Sequence, residues 1–503
     1  MMKMRSTGNW LAGMLLVSAL MGCAVPSNTV AEVDPTVTME ATDVPAATPT
    51  QVALPDGYVE YRTQSGDTLA AVAAHFGVEA EAILFPDGMV ADLLLPPETR
   101  LYIPDGLGET TPHEQLIPDS DIVYSPSTIG FDTLAFVDAQ DSKLADYTEL
   151  MTAGTTSGAQ ILNQIAIEYS INPRILLTLL EQRSGWVSGQ PATLDQSNYP
   201  YGFTKSNKGG LYKQLGLVIS QLEIGYYGWR AGTLSDLTFN DDTTLRLAPD
   251  LNAGTVAVMT YVASISTRAE WQAALYGENS IPAVHERLFG DMWERAAKVE
   301  PLFPAGTVQP ELLLPFANGQ TWNYTCGPHE AWGKQGPAAA LDFAPPLDRS
   351  GCGVSNKWAL ASASGLVVRG GNGIVLLDLD GDGYEQTGWD LLYMHVAGTD
   401  KVQVGEYVNR DERIGHPSCD GGSSSGIHIH LARKFNGEWV LAEGGLPFVL
   451  SGYQAFDKTK FCEGTLVNGD SVVQAYPWGN YLTKISRPEV TLEPPSGDLY
   501  QDE

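Results

Sequence analysis

Late in the chain, the run Gly426-Ile427-His428-Ile429-His430-Leu431 alternates apolar and polar residues. A period of two belongs to a β-strand, where side chains two apart share a face, and not to a helix. His428 and His430 therefore project together, about 7 Å apart along the strand. A lone His-x-His pair reads equally well as two solvent-facing polar residues. Asp342 and His329 tilt the reading toward a metal. Asp342 sits in the apolar run Ala340-Leu341-Asp342-Phe343-Ala344-Pro345, where a carboxylate calls for a cation. His329 closes the segment Cys326-Gly327-Pro328-His329. Its Gly-Pro pair predicts a turn, so this histidine is expected from a loop. Zinc hydrolases take three protein ligands and keep one position for water, and His329, Asp342 and one histidine of the pair fit that need.

Together these residues resemble the lysostaphin-type zinc endopeptidases of bacterial cell walls, and more closely their beta-lytic, staphylolytic branch. In the common branch the first ligand histidine stands four residues before the aspartate, where this chain has Ala338; in the beta-lytic branch it stands thirteen before, and His329 does so here. The likeness continues through Tyr393-Met394-His395 and Gly421-Gly422-Ser423-Ser424-Ser425-Gly426 into the His-x-His strand, covering most of residues 322–455. Ile427 and Leu431 replace the usual Pro and Phe. The resemblance implies that His329, Asp342 and His430 hold one catalytic zinc, that His395 and His428 are catalytic groups flanking its open side, and that the substrate is the peptide part of peptidoglycan, with Gly-containing cross-bridges as a preference. It also implies an antiparallel β-sheet with a cleft. The strand-like runs at 358–368, 373–379, 389–395 and 402–414, separated by Gly-rich turns, agree with an all-β metallopeptidase domain over residues 311–480.

Four cysteines (Cys326, Cys352, Cys419 and Cys462) fall in this region. An even set in an exported domain reads as disulfides; the pairing expected is Cys326 with Cys352 and Cys419 with Cys462. Zinc ligation is the rival use, but the chain has no Cys-x-x-Cys pair. Between two strand-like runs lies Asp378-Leu379-Asp380-Gly381-Asp382-Gly383. Acids at alternate positions before a Gly begin a calcium loop, which makes Asp378, Asp380 and Asp382 candidate calcium ligands. A complete loop has Glu at its twelfth position; here that residue is Trp389, followed by Asp390. A plain acidic hairpin turn is the other reading.

At the other end, Lys3 and Arg5 precede an apolar run from Trp10 to Met21, the form of a signal peptide over residues 1–23. Leu20-Met21-Gly22-Cys23 resembles a bacterial lipobox, which implies lipidation of Cys23 and an exported protein anchored at the bacterial cell membrane, facing the wall or periplasm. Two or more acyl chains give stable anchoring. Residues 24–54, rich in Pro and Thr and without Lys or Arg, read as a tether. Over residues 56–105 a strand leads into Ser65-Gly66-Asp67-Thr68-Leu69, where Asp67 or Thr68 can cap a helix that stops at Gly77. A second short helix is expected from Glu79 to Leu84, then a strand from Arg100 to Pro104. This small α+β unit resembles a LysM module, which implies binding of N-acetylglucosamine chains through Gly66, Asp67 and Thr68.

Residues 155–300 read as mostly helical, with Asn172 as cap and Pro173 at the first position of one helix. The segment from Ile171 through Ser184-Gly185-Trp186 resembles the start of lysozyme-like transglycosylases, but Arg183 stands where the family's general-acid Glu belongs. Glu181, two residues earlier, is turned by about 200° on a helix and cannot replace it. The lysozyme-like domain is thus expected to hold glycan or space the other modules, since glycosidases need a carboxylic acid there. An acidic tail completes the chain over residues 481–503. With 60 acids against 29 Lys and Arg, nucleic acid is excluded as a partner. The reading is a multidomain, lipid-anchored zinc endopeptidase of peptidoglycan. The alternative is a non-catalytic wall-binding or hydrolase-regulating lipoprotein, against which the complete set of ligands and catalytic histidines counts.

Overall fold

Strands β1 (Tyr58–Arg62) and β2 (Arg100–Pro104) pair antiparallel around helix α1 (Leu69–Phe76). The oxygen of Thr68 accepts from the Ala71 N–H, and Gly77 ends the helix at φ 65°, as the local sequence predicts. The second helix expected there shrinks to one 3-10 turn, Ala80–Ala82. Ile83 then turns into the module's core and Leu84 bridges to the β2 strand, which halts the helix. The computed structural model describes residues 53–88, 93–152, 154–346, 351–458 and 460–488. The signal segment with Cys23, nearly all of the tether and most of the acidic tail lie outside the described residues.

The helical region is built on α2 (Gly158–Tyr169), α3 (Pro173–Ser184), α4 (Leu211–Arg230) and α5 (Ala253–Ile265). Asn172 caps α3 through the Arg174 N–H. Short helices at Thr133–Asp138 and Lys143–Asp146 precede residue 155, so helix begins earlier than the sequence reading places it.

The C-terminal region is a nine-stranded sheet. Its strands are β3 (Thr321–Glu330), β4 (Ala338–Ala344), β5 (Gly365–Gly371), β6 (Ile374–Asp378), β7 (Trp389–Met394), β8 (Tyr407–Val408), β9 (Ile429–Phe435) and β10 (Lys484–Ser486), with Glu438–Trp439 pairing on β9. The order is β8-β5-β6-β7-β9-β4-β3-β10, and every pairing is antiparallel. Two of the expected strand runs are broken. The 402–414 run keeps only short ends, because Gly405 and Asp411 adopt φ 90° and 73° and turn the chain. The 358–368 run splits into Ala359–Leu360 and the start of β5.

Strand β9 is buried on both faces. Ile429 and Leu431 face Leu341, Phe343, Leu391 and Tyr393, in a core closed by a second, four-stranded sheet that contributes Phe448, Leu450 and Leu466. On the opposite face, Ala432 joins Ala340, Leu392 and Met394 in a core continuous with Leu222, Tyr226 and Tyr227 of α4. The helical region thus supplies the layer that one face of this sheet requires, and the two regions expected as separate domains share one core.

The disulfides join Cys326 to Cys462 (Cα–Cα 4.3 Å) and Cys352 to Cys419 (5.6 Å), which corrects the pairing expected from the sequence. Strand β3 lies beside the connection between Tyr453–Asp457 and Gly464–Asn468 of the four-stranded sheet, where the Gly327 N–H donates to the Cys462 carbonyl. Cys352 and Cys419 belong to loops on another flank, tied by Ser355 N–H to the Pro417 carbonyl. Sheet order, not chain order, decides which cysteines meet.

Candidate metal centre and active site

Register builds the centre. His430 on β9 stands directly opposite Asp342 on β4 and Met394 on β7. Directly opposed residues put their side chains on one face, and the face is the one that the helical region covers. His329 lies within β3, not on the loop that Gly327-Pro328 predicts: the pair is absorbed as irregular register between Cys326 and His329. Such bulges re-aim a side chain without ending the strand.

Three atoms converge. His329 Nε2 is 3.0 Å from His430 Nδ1, and Asp342 Oδ1 is 3.2 Å from each. Ligands about 2.0–2.1 Å from a tetrahedral zinc stand roughly 3.3 Å apart, so this triangle is slightly tighter than one face of that tetrahedron. The remaining ring nitrogens fix the tautomers. His329 Nδ1–H donates to the Gly327 carbonyl at 2.8 Å, and His430 Nε2–H to the Ala331 carbonyl at 3.0 Å. Each ring therefore turns a lone pair toward the same point, as metal-binding histidines do when an outer carbonyl orients them. The buried Asp342 Oδ1 has no hydrogen-bond donor. A cation at the centre of the triangle would satisfy it, so the residues fit a metal. Cys326 comes within ligand range as well, but its sulfur is bonded to Cys462 and offers no thiolate.

The other two histidines flank this triangle. His428 Nε2 is 3.3 Å from Asp342 Oδ2, and its ring centroid is 4.4 Å from that of His395. Their Nδ1 atoms are tied to the Gly426 and Asp420 carbonyls at 2.9 and 3.1 Å, which leaves both Nε2 atoms facing the centre. His395 follows β7 directly and adopts φ 63°. A non-glycine residue rarely holds that conformation, which is typical of functional sites. Burial works against the Asp342 charge, but the neighbouring rings, His329 first and then His428 and His430, hold its carboxyl well below the usual carboxylate range. Burial first, then His428 and His430, bring His395 down to about 4.

Sequence reasoning named all five side chains. It did not find the carbonyls of Gly327, Ala331, Asp420 and Gly426, because backbone acceptors carry no residue signature. Nor did it find Phe461, exposed at the rim with its ring 6.3 Å from that of His329. The bonded neighbour Cys462 was the one available hint.

The other residues singled out lie elsewhere. Gly66 and Thr68 line a cleft shared with Arg230, Glu438 and Gly445. Asp67 does not reach it. Its buried carboxylate accepts from Tyr61 OH and the Gln64 N–H, both at 2.7 Å, so it serves the module's interior. Glu181 accepts from the N–H groups of Val187 and Ser188, fastening the turn after α3. Asp378, Asp380 and Asp382 do converge, within 4.8 Å of one another. Among the described residues no helix is long and apolar enough to cross a membrane.

Comparison with known proteins finds relatives for parts of the chain. The profile of a family described as LasA, N-terminal domain matches residues 115–302, that is, the helical region and the approach to it. Protease LasA of Pseudomonas aeruginosa is 26% identical over 332 residues, 61% of this chain and 73% of that protein. A second strain's Protease LasA is 26% identical over 327 residues. Among solved structures, the deep-sea M23 metalloprotease pseudoalterin is 19% identical, covering 36% of this chain and 100% of its own, with a TM-score of 0.29. The catalytic domain of lysostaphin from Staphylococcus simulans is 24% identical, covering 26% and 86%, with a TM-score of 0.18. The chain is a LasA-like protein.

Proposed function

We propose that the chain is a zinc endopeptidase that hydrolyses peptide bonds of peptidoglycan, exported and held at the cell membrane by lipid on Cys23. The observation that carries this reading is the triangle of His329 Nε2, His430 Nδ1 and Asp342 Oδ1, 3.0–3.2 Å on each side, with the opposite nitrogen of each ring bound to a carbonyl. His329, Asp342 and His430 would hold the ion. Zinc bound there would supply an activated water and polarise the scissile carbonyl. His428, with Nδ1–H donating to Gly426, presents a bare Nε2 to accept the water proton. His395 presents Nε2 from the flank, placed to stabilise the oxyanion or pass a proton to the leaving amine. The name of Protease LasA supports proteolysis, and the wall substrate follows from the resemblance of the sequence to lysostaphin-type endopeptidases. The LysM-like module would offer Gly66 and Thr68 to N-acetylglucosamine chains from the cleft they line, and the helical region would serve as support, not as a glycosidase.

The test is mass spectrometry of peptidoglycan digested by the chain from residue 24 onward. The helical region is kept because it shares its core with the sheet. New peptide termini that require zinc and vanish in His430→Ala name the bond cut. Intact wall peptides in the presence of bound zinc would overturn the reading. Loss of lipid labelling in Cys23→Ser checks the anchor.

A further inference from the structure

We propose that the hairpin between β6 and β7 is a calcium site, in which Asp378, Asp380 and Asp382 are closed from beneath by Asp390. It is separate from the zinc centre and does not depend on it. The three loop carboxylates each bring an oxygen within 4.8 Å of the others. All are hard oxygen ligands, the kind calcium takes. Gly383, sixth in the loop, sits at φ 91°, as the sharp turn of such loops requires.

A crowd of acids at a turn is common without any ion. Asp390 sets this one apart. It is completely buried, and neither of its carboxylate oxygens has a hydrogen-bond partner among the described residues. It stands directly across the β6–β7 ladder from Asp378, so both side chains project from one face of the sheet. An unpartnered buried carboxylate is costly, and the neighbouring cations do not relieve it. Lys434 Nζ and Arg369 Nη2 are both taken by Glu385, at 2.9 and 3.0 Å. Five carboxylates (Asp378, Asp380, Asp382, Glu385 and Asp390) thus face two cations. A divalent ion removes most of that excess and supplies Asp390 with a partner. Without it, burial together with Glu385 and Asp378 holds the Asp390 carboxyl well above its usual range, against Lys434 and Arg369, and burial with Asp378 lifts Asp380 to about 6.

The loop also reports on itself, since Tyr384 and Trp389 lie within it and can sensitise a bound terbium ion. The experiment titrates terbium, then calcium and magnesium, into the zinc-loaded chain from residue 24 onward, with thermal unfolding in parallel. Expected are saturable terbium luminescence displaced by calcium at or below the millimolar range of extracellular calcium modules, weak displacement by magnesium, and a rise in Tm of about 4 °C or more at saturating calcium. Asp380 and Asp382 are exposed, so Asp380→Asn and Asp382→Asn should fold and lose affinity by about tenfold or more, as each removes a charged ligand. Asp390→Asn should weaken binding similarly, while His430→Ala leaves the titration unchanged. Absence of saturation, or full affinity in Asp380→Asn and Asp382→Asn, would overturn the site. Full affinity in a folded Asp390→Asn would overturn the closure from beneath.

Discussion

Two buried polar clusters flank the core shared by the helices and the sheet, and they are built on opposite plans. Around Arg230 every partner is supplied. Its guanidinium bonds to Asp119 at 2.8 Å and Glu438 at 2.9 Å, and donates to the Ser65 carbonyl. Tyr226 OH completes Glu438, while Asn252 and the Gly254 N–H complete Asp119. These contacts join the LysM-like module, α4 and the strand next to β9. Around Asp342, three histidines approach one carboxylate, yet among the described residues its Oδ1 has no donor and two ring lone pairs point at the same place. A matched cluster spends its polar groups on holding parts together. An unmatched one whose groups converge is preorganised for something that arrives.

The comparison breaks first at the histidine centre. His430→Ala and Asp342→Ala should each lower peptide hydrolysis by about 10⁴-fold or more, the scale set by losing an activated water and its electrostatic support, with little change in the Tm of the metal-free chain. A collapse of metal-free Tm instead would mean the centre holds the fold.

The second difference is predicted to run the other way. Arg230→Ala leaves Glu438 and Asp119 buried without their cation, a loss of about 3–5 kcal/mol. Denaturant unfolding together with limited proteolysis should show it, with new cuts near residues 60–110. A protease-resistant variant of normal stability would refute the binding role given to Arg230.

A pH dependence sharpens the same boundary. His75 is buried, stacks on Trp229 with centroids 3.5 Å apart, and contacts the Trp229 carbonyl. Burial, reinforced by Arg246 and Arg230, lowers it from 6.5 to about 4. The folded state therefore disfavours its charged form. Stability is full above pH 6.5 and falls as pH drops from 6.5 toward 4, by on the order of 2 kcal/mol at pH 5. Asp67, raised to about 6 chiefly by burial, gains stability over part of the same range and opposes the trend. Comparing the chain with His75→Gln isolates the histidine: the variant should lose the acid-side decline, and an unchanged profile would exonerate His75.

The smallest effect concerns Glu223, a third case with neither partners nor convergence. Both its oxygens are buried and unpartnered, and burial with Glu330 nearby lifts its carboxyl well above the usual range. Glu223→Met, of similar length and apolar, should stabilise by about 1 kcal/mol, since an unsatisfied buried group is removed. Calorimetry that finds the variant less stable would show that Glu223 has a partner, such as an ordered water.

The caps of α1 and α3 and the strand bearing His430 were legible because each follows from residues within a few positions of one another. The four site histidines and the aspartate were legible because their types and spacing survive in the linear order. Two readings failed for one reason. His329 belongs to a strand and not a loop, and Cys326 pairs with Cys462. Each depends on what lies beside the chain in space.

By itself the sequence singled out the side chains that converge at the centre and the local backbone of the caps and of the strand bearing His430, since propensity, capping and period-two alternation act over a few residues. Tertiary structure alone decided where the lone pairs of His329 and His430 point, which carbonyls hold them there, that the helical layer covers the face bearing Asp342 and His430, and that Asp390 stands across the ladder from Asp378. These are fixed by cross-strand register and layer packing, which bring together residues up to hundreds of positions apart and leave no mark in their local sequence.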